Sequence, residues 1–345
     1  MAGPDALLRF DSSAFNPIGG IKFALGITVA AVVSGVFDLD MLVVGIASLL
    51  TWLTDVPGPR RNRLYGMAAF GVIGVGLIWL ASLVVDSSVW FPLTLAAVTF
   101  VLTMPLTVSQ RGYQVGWSAI LLFFSIAAFT GVDSVVQTEL SIDLLIGVGL
   151  VMALTAIWPH GIGPYGRSES DTREPPGMAD TQFVAVYAAT VAVVMGVALY
   201  LGMQSFTAGA VWAANGAFFI IGPSTNQSII HGLERAIAVI VGVAGGALAV
   251  EWMTADWLLI TLWLILGAIA LATLNAGYFI MVAAYTAGMT MTWAVQGQDI
   301  AAINSTERIL AEFGALALAL AAVAFLQWWG SHRQVDQHIE TEIAS

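Results

Sequence analysis

The stretch RLYGMAAFGVIGVGLIWLASLVV, residues 63–85, contains a single charged residue, and this residue stands at its first position. The residues after Arg63 are almost all apolar or small. An α-helix needs about 20 mostly apolar residues to cross a lipid bilayer. A helix that is apolar on every face belongs in a large core or in a membrane. The stretch therefore predicts a membrane-spanning helix.

Similar apolar stretches, separated by short polar breaks, recur along the chain, and we predict twelve spans. They are residues 20–37, 39–54, 66–85, 89–107, 114–132, 140–159, 182–202, 205–222, 233–253, 257–274, 276–295 and 307–329. The composition agrees, because 59% of the residues are hydrophobic and only 10% are charged, against roughly 25% in soluble domains. We expect an all-α integral membrane protein that lies in the lipid bilayer.

Several classes of site are excluded by the residues that are missing. The chain has no Cys, and its four His are scattered, so neither a disulfide nor a metal site is expected. No Gly-x-x-x-x-Gly-Lys-Ser/Thr loop is present, and we expect no ATP hydrolysis and no cofactor. The net charge of −11 and the lack of a basic stripe argue against nucleic-acid binding. The ionisable residues within the spans are isolated, so an enzyme is not expected.

The distribution of cations predicts the orientation in the membrane, because short cytoplasmic loops are enriched in Lys and Arg. Every cation except Arg308 falls on one side of the predicted spans. Ten acidic residues lie on the other side, among them Asp86 and Glu251. Both termini are therefore expected in the cytoplasm, and the protein in the inner (plasma) membrane.

The two halves of the chain repeat one layout: a short span, a Gly-Pro loop, an Arg and a small-residue helix. Aligning Arg63 with Arg235 places Gly74 over Gly246. This is a weak internal repeat. Six spans per unit is an even number, so we predict two parallel repeats with a pseudo-two-fold axis along the membrane normal and a substrate pathway between them. The predicted divisions are an N-terminal cytoplasmic segment 1–19, a first six-helix repeat 20–160, a cytoplasmic linker 161–181, a second six-helix repeat 182–330 and a cytoplasmic tail 331–345.

The second half carries motifs that resemble a known group. Gly222-Pro223 is followed by Leu233-Glu234-Arg235 before a Gly-rich helix, and Asn275-Ala276-Gly277-Tyr278 opens a later span. These features resemble the fusaric acid resistance-like (FUSC) family of aromatic acid exporters, which is related to plant aluminium-activated malate transporters. The loop Asp55–Arg63 resembles the corresponding loop of the first half. The resemblance implies efflux or conduction of organic anions.

The sequence departs from this family in two respects and leaves a second family open. An Arg near the first span is represented here only by Lys22. The linker 161–181 and the tail 331–345 are short, so regulation through a sizeable soluble domain, which many relatives carry, is not expected. The major facilitator superfamily also has twelve spans and a loop with Asp, Gly and paired cations after span two. Thr51, Pro57 and Pro59 fit its loop pattern poorly.

Glu312 and Arg308 are the first candidate site residues, because an ionisable group within a membrane span usually has a function. The two stand four residues apart on one helical face. They are interpreted either as an intrahelical ion pair near the outer interface or as a proton-coupling Glu312 beside an anion-attracting Arg308.

Further candidates flank the predicted pathway. Arg63 and Arg235 occupy matching starts of spans three and nine. They either anchor these spans at the interface or bind substrate carboxylates. The polar and aromatic side chains of spans eight and eleven suit a planar, weakly polar acid, although core packing explains them equally well. These candidates are Trp212, Asn215, Asn275, Tyr278 and Tyr285.

The sequence thus predicts a transporter that exports aromatic or other hydrophobic organic acids with the proton gradient. A passive organic-anion channel and a carrier of the major facilitator type are the alternatives. The predicted partner is a small organic anion, and the sequence leaves open whether a homo-oligomer forms.

Overall fold

The structure is a computed structural model that describes residues 10–12, 15–37, 40–56, 58–127, 134–157, 180–206, 210–221, 225–253, 256–274, 276–296 and 298–344. Asn275 and most of the predicted linker, residues 161–179, lie outside these ranges, as do residues 1–9 of the predicted N-terminal segment. The described residues form α-helices and one short 3-10 helix, and they contain no strand. The predicted all-α class is confirmed.

Twelve α-helices occur in the described part of the chain, in the order of the predicted spans. They are α1 Pro17–Phe37, α2 Met41–Leu53, α3 Arg60–Ser82, α4 Trp90–Thr103, α5 Gln110–Ala127, α6 Ser134–Ile157, α7 Thr181–Ser205, α8 Ala210–Ile220, α9 Thr225–Trp252, α10 Asp256–Ala272, α11 Tyr278–Gln296 and α12 Gln298–Ala344; the 3-10 helix is Met104–Thr107. Within the described residues, seven helices are long and apolar enough to cross a membrane. The count of twelve spans stays a prediction.

Two helices begin well before the spans predicted for them. Helix α9 starts at Thr225 rather than at residue 233, and α12 starts at Gln298 rather than at residue 307. The prediction followed the apolar residues, whereas a helix continues through polar residues until a breaker ends it. Neither extension contains Pro, and their one Gly, Gly232, stands next to the predicted start of the span. Arg235 consequently lies inside α9, while Arg63 lies in the first turn of α3.

Close packing of helices depends on glycines in α3 and α9. A Cβ added to Gly74 of α3 would lie 2.7 Å from Leu144 Cδ2, and one added to Gly246 of α9 would lie 2.7 Å from the carbonyl oxygen of Ala287. Small residues allow such approaches in lipid, where packing drives helix association. A larger residue at either position would separate the packed helices.

Helix pairing follows the same scheme in the two halves. In the first half α2 packs against α6, and α3 packs against α5 and α6. In the second half α8 packs against α12, and α9 packs against α11 and α12. Between the halves, α1 packs against α10 and α4 against α7. These pairs are the ones that a six-helix repeat relates to each other, and the symmetry itself stays a proposal.

Candidate functional site

A cavity of about 120 Å³ lies between the two halves. This is roughly ten times the 10–15 Å³ needed to hold one water molecule, so a small organic molecule can be accommodated. Side chains of α1, α2 and α5 line it from the first half, and side chains of α8, α9, α10 and α11 from the second. The lining residues are Phe23, Ile46, Leu49, Leu50, Leu53, Trp117, Leu121, Ser125, Asn215, Phe219, Arg235, Gly267, Ala270, Leu271, Leu274, Met281, Val282 and Tyr285. Most of them are apolar.

The charged group on the cavity wall is Arg235 of α9, which is only 2% exposed. Its Nε lies 2.5 Å from Glu312 Oε1 of α12, and its Nη2 donates a hydrogen bond of 3.3 Å to Asn215 Oδ1 of α8. Glu312 is also 2% exposed. A buried charge is tolerated when it is paired and hydrogen-bonded. Together with Asn215, the pair joins three helices of the second half at the cavity, α8, α9 and α12.

The geometry of α8 brings Asn215 to this position. Gly216 follows Asn215, and a Cβ added there would lie 2.7 Å from Ala315 Cβ and 3.0 Å from Glu312 Oε1. Only a residue without a side chain lets α8 approach α12 this closely. The glycine thus sets the distance between α8 and the Glu312 carboxylate.

Glu312 contacts a different arginine from the one that its sequence neighbourhood suggests. The intrahelical interpretation joins Glu312 to Arg308, four residues earlier. In the structure the ion pair of Glu312 runs to Arg235, 77 residues away in sequence. Arg235 reaches Glu312 because α9 and α12 pack against each other.

Arg308 is fully buried, with 0% of its surface exposed. Its guanidinium carbon is 4.1 Å from the ring centroid of Trp212 and 5.6 Å from that of Tyr285. Its Nη2 donates a hydrogen bond of 3.0 Å to Thr286 Oγ1. Cations bind the faces of aromatic rings at such distances. Arg308 thus contacts Trp212 and Tyr285, which like Arg308 are predicted site residues, and Tyr285 also lines the cavity.

The second half of this assembly matches a known family. Residues 188–322 match the family model described as fusaric acid resistance protein-like. These residues form a fusaric acid resistance protein-like domain. The resemblance predicted from the sequence is confirmed. Neither a curated protein nor a solved structure matches the chain.

The apolar helices and the family match of residues 188–322 together support a multi-pass membrane protein. Of the two families considered, the match favours the first over the major facilitator superfamily. All described candidate residues except Arg63 lie within the fusaric acid resistance protein-like domain, and so does Asn275.

Tyr278 of this domain lies beside the cavity, one turn before Met281. Its hydroxyl donates a hydrogen bond of 3.4 Å to the carbonyl oxygen of Phe219, and its ring stacks on His231 with the centroids 4.3 Å apart. The stack joins the first turns of α11 to α9. His231 was not a candidate from the sequence, because no local motif marks it.

Arg63 is separate from the candidates of the second half. Its Nε and Nη2 donate to Asp55 Oδ1 and Oδ2 at 2.5 and 2.6 Å, which is a bidentate ion pair. Both side chains are buried, and Arg63 is not among the described residues of the cavity wall. The sequence pattern marked Asp55 only as the first residue of the loop Asp55–Arg63 and not as a site residue. Its position eight residues before Arg63 was the available signal for the pair.

Sequence reasoning also missed the aromatic residues that the first half contributes to the cavity. Phe23 of α1 and Trp117 of α5 both line it. Nothing in the local sequence distinguishes a cavity-facing aromatic residue from one that faces lipid, because both lie in apolar helices. Only the packing of α1 and α5 against the second half identifies them.

Proposed function

We propose that the chain exports aromatic or other hydrophobic organic acids through the cavity between its halves, and that the proton gradient drives this export. The observation that supports the proposal is the buried Arg235–Glu312 pair at the wall of a mostly apolar cavity. In this proposal the protein lies in the inner (plasma) membrane with both termini in the cytoplasm.

The cavity offers the two kinds of surface that such a substrate needs. Its apolar wall binds the hydrocarbon part of an acid, and Arg235, Asn215 and Tyr285 offer a few polar groups to orient the carboxylate. Ligand sites generally combine apolar walls with a small number of placed polar groups. Arginine also binds carboxylates through two parallel hydrogen bonds. We assign the substrate carboxylate to Arg235.

Proton coupling follows from competition for one guanidinium. The guanidinium of Arg235 already pairs with the Glu312 carboxylate, so a substrate carboxylate that binds Arg235 displaces Glu312 from it. A carboxylate left unpaired in a buried site is costly and tends to become neutral by binding a proton. We assign this proton to the outer side, where the anion leaves: Glu312 carries it inward on the return of the empty site and releases it when the pair with Arg235 re-forms. Anion export is thereby exchanged for proton entry. Arg308, held between Trp212 and Tyr285, adds positive charge near this exchange.

The test is the pH dependence of flux in proteoliposomes that contain the full chain. Initial rates of benzoate flux are measured under pH gradients of both signs, and protein-free vesicles give the diffusion of neutral acid through lipid. We expect a saturable flux that depends on the gradient in the native protein. Glu312→Gln should retain saturable flux and lose this dependence, because Gln keeps the size of the side chain without a titrating carboxyl.

A matched control is Asp143→Asn, which neutralises another buried carboxyl, on α6 and away from the described cavity wall. It should leave the dependence on the gradient intact. A Glu312→Gln variant with native pH dependence would contradict the coupling role. A passive organic-anion channel, the second candidate from the sequence, predicts single-channel currents under voltage, whereas a coupled exporter predicts saturable flux that a protonophore abolishes.

A further inference from the structure

The wall of the cavity is divided between the two halves by chemistry. Arg235, Asn215 and Tyr285 belong to α9, α8 and α11 of the second half. Two aromatic residues line the cavity from the first half, Phe23 of α1 and the larger Trp117 of α5. A ligand held by its carboxylate at Arg235 therefore has the indole of Trp117 as a neighbour for its hydrocarbon part.

Phe219 connects these two groups. The guanidinium carbon of Arg235 lies 4.9 Å from the centroid of the Phe219 ring. The same ring meets Trp117 edge-on, with the centroids 5.0 Å apart and the planes at 87°. Both distances are those of direct contact. One phenyl ring thus separates the carboxylate-binding cation from the indole, a spacing that an acid with one aromatic ring attached to its carboxyl can span.

The indole is held in place from two sides. Phe218 stacks on it, with centroids 5.4 Å apart and an angle of 27° between planes, in addition to the edge contact of Phe219. The backbone that carries the indole is also fixed, since α5 packs closely against α4 at Gly116, where an added Cβ would collide with the carbonyl oxygen of Leu102. A fixed ring discriminates between ligands better than a mobile one, because no rotamer freedom is lost on binding.

We propose that Trp117 is a specificity-determining residue that selects planar aromatic acids over saturated acids of the same size. This inference rests on the proposed function and adds to it a residue and a basis for discrimination. Aromatic rings bind one another in offset or edge-on geometry with an energy beyond that of the buried area. A saturated ring of equal size buries similar area and lacks this contribution. The gain corresponds to a preference of about 3- to 10-fold.

The test compares benzoate with cyclohexanecarboxylate, which have the same number of carbon atoms and the same charge. Their kcat/KM values for flux are measured in proteoliposomes with the full chain. We expect the native protein to prefer benzoate and Trp117→Leu to lower this preference by about 3- to 10-fold. Trp117→Phe keeps an aromatic ring and should retain most of the preference.

The control is Trp79→Leu, which removes a tryptophan that is 46% exposed on α3. It should leave the ratio of the two acids unchanged. A general loss of folding lowers the flux of both acids together and does not alter the ratio. An unchanged ratio in Trp117→Leu would therefore overturn the inference alone, whereas a native protein that carries neither acid would overturn the proposed function as well.

A second measurement applies if Trp117→Leu does not insert into membranes. Benzoate stacked on Trp117 should change the tryptophan fluorescence of the native protein, and this change should be much smaller in Trp117→Phe, which preserves the ring packing. An equal fluorescence change in the two proteins would show that benzoate does not contact Trp117 and would overturn the inference.

Discussion

The two halves hold their matching arginines in different ways. Arg63 of α3 pairs with Asp55, which lies eight residues earlier in the chain. Arg235 of α9 pairs instead with Glu312 of a different helix, α12. Arg235 has no such local partner, because residues 222–227, the segment before it in the second half, contain no carboxylate. A movement of α9 relative to α12 breaks only the second pair. The first arginine is therefore suited to a fixed scaffold and the second to an exchange of partners.

The helices around these arginines pack alike despite this difference. Gly147 of α6 lies against Ala47 of α2, and Gly216 of α8 lies against Ala315 of α12, each with 2.7 Å between the neighbour's Cβ and a Cβ added to the glycine. Taking these two contacts as equivalent places Gly147 of α6 over Ala315 of α12 in the proposed repeat.

The charged residue of the second half thus has an apolar counterpart in the first. Glu312 stands three residues before Ala315, and Leu144 stands three residues before Gly147. Leu144 is fully buried and packs on Gly74. On this placement, the same helix pairing holds a hydrocarbon side chain at this position in the first half and one member of an ion pair in the second.

The largest effect is expected when Glu312 of the second half is replaced by leucine, the residue at the matching position of the first half. Glu312→Leu should lower the free energy of unfolding by about 3–5 kcal/mol, because Arg235 is left buried without its counter-charge. Adding Arg235→Met should restore most of the loss, since an apolar pair of similar volume is often as stable as a buried ion pair.

Denaturant unfolding of the two single variants and the double variant in detergent, treated as a double-mutant cycle, measures this effect. Losses that simply add in the double variant would show that Arg235 and Glu312 do not stabilise each other. The same cycle with Arg63 and Asp55 serves as the first-half reference.

A smaller effect on stability is expected at the two glycine contacts. Gly216→Ala and Gly147→Ala should each lower the free energy of unfolding by about 1–3 kcal/mol, because the added methyl overpacks a close helix contact. Only Gly216→Ala should also alter the pH dependence of flux, since its Cβ would lie 3.0 Å from Glu312 Oε1.

The matched controls lie on α6 and on α12, the helix that Gly216 of α8 contacts. Gly149 of α6 and Gly314 of α12 have nothing within 4 Å of an added Cβ. Their replacement by Ala should raise the free energy of unfolding by about 0.5–1 kcal/mol, because Ala favours a helix over Gly where the added methyl meets nothing. A changed pH dependence in Gly147→Ala would contradict the assignment of the exchange to the second half.

The helices and their order could be predicted from the sequence, because long apolar stretches leave few alternatives in a membrane. The family could also be predicted, from the motifs around Gly222-Pro223 and Arg235. The starts of α9 and α12 could not, because polar residues such as Thr225 and Gln298 continue a helix as well as they continue a loop.

The site was predictable as a set of residues and not as a set of contacts. Arg235, Arg308 and Glu312 stand out because charged residues are rare in apolar helices. Which arginine contacts Glu312 depends on how α9 packs against α12, and nearness in sequence favoured Arg308. Trp117 gave no signal, since a tryptophan is compatible with a lipid-facing, a core or a cavity position.

The smallest expected effect concerns the cation held by tryptophan in each half. Lys22 Nζ lies 5.5 Å from the ring of Trp52 in the first half, and Arg308 lies 4.1 Å from the ring of Trp212 in the second. A planar guanidinium stacks on an aromatic face, whereas an ammonium acts as a point charge. Arg308→Lys should therefore cost about 1 kcal/mol of unfolding free energy.

The coupling between this change and Trp212→Leu distinguishes stacking from charge. If stacking on Trp212 is what the lysine lacks, Arg308→Lys should cost less in the Trp212→Leu background, which a double-mutant cycle of denaturant unfolding measures. An equal cost in both backgrounds would place the loss at the hydrogen bond to Thr286 instead. The two halves would then differ in how they hydrogen-bond a buried cation rather than in how they stack it.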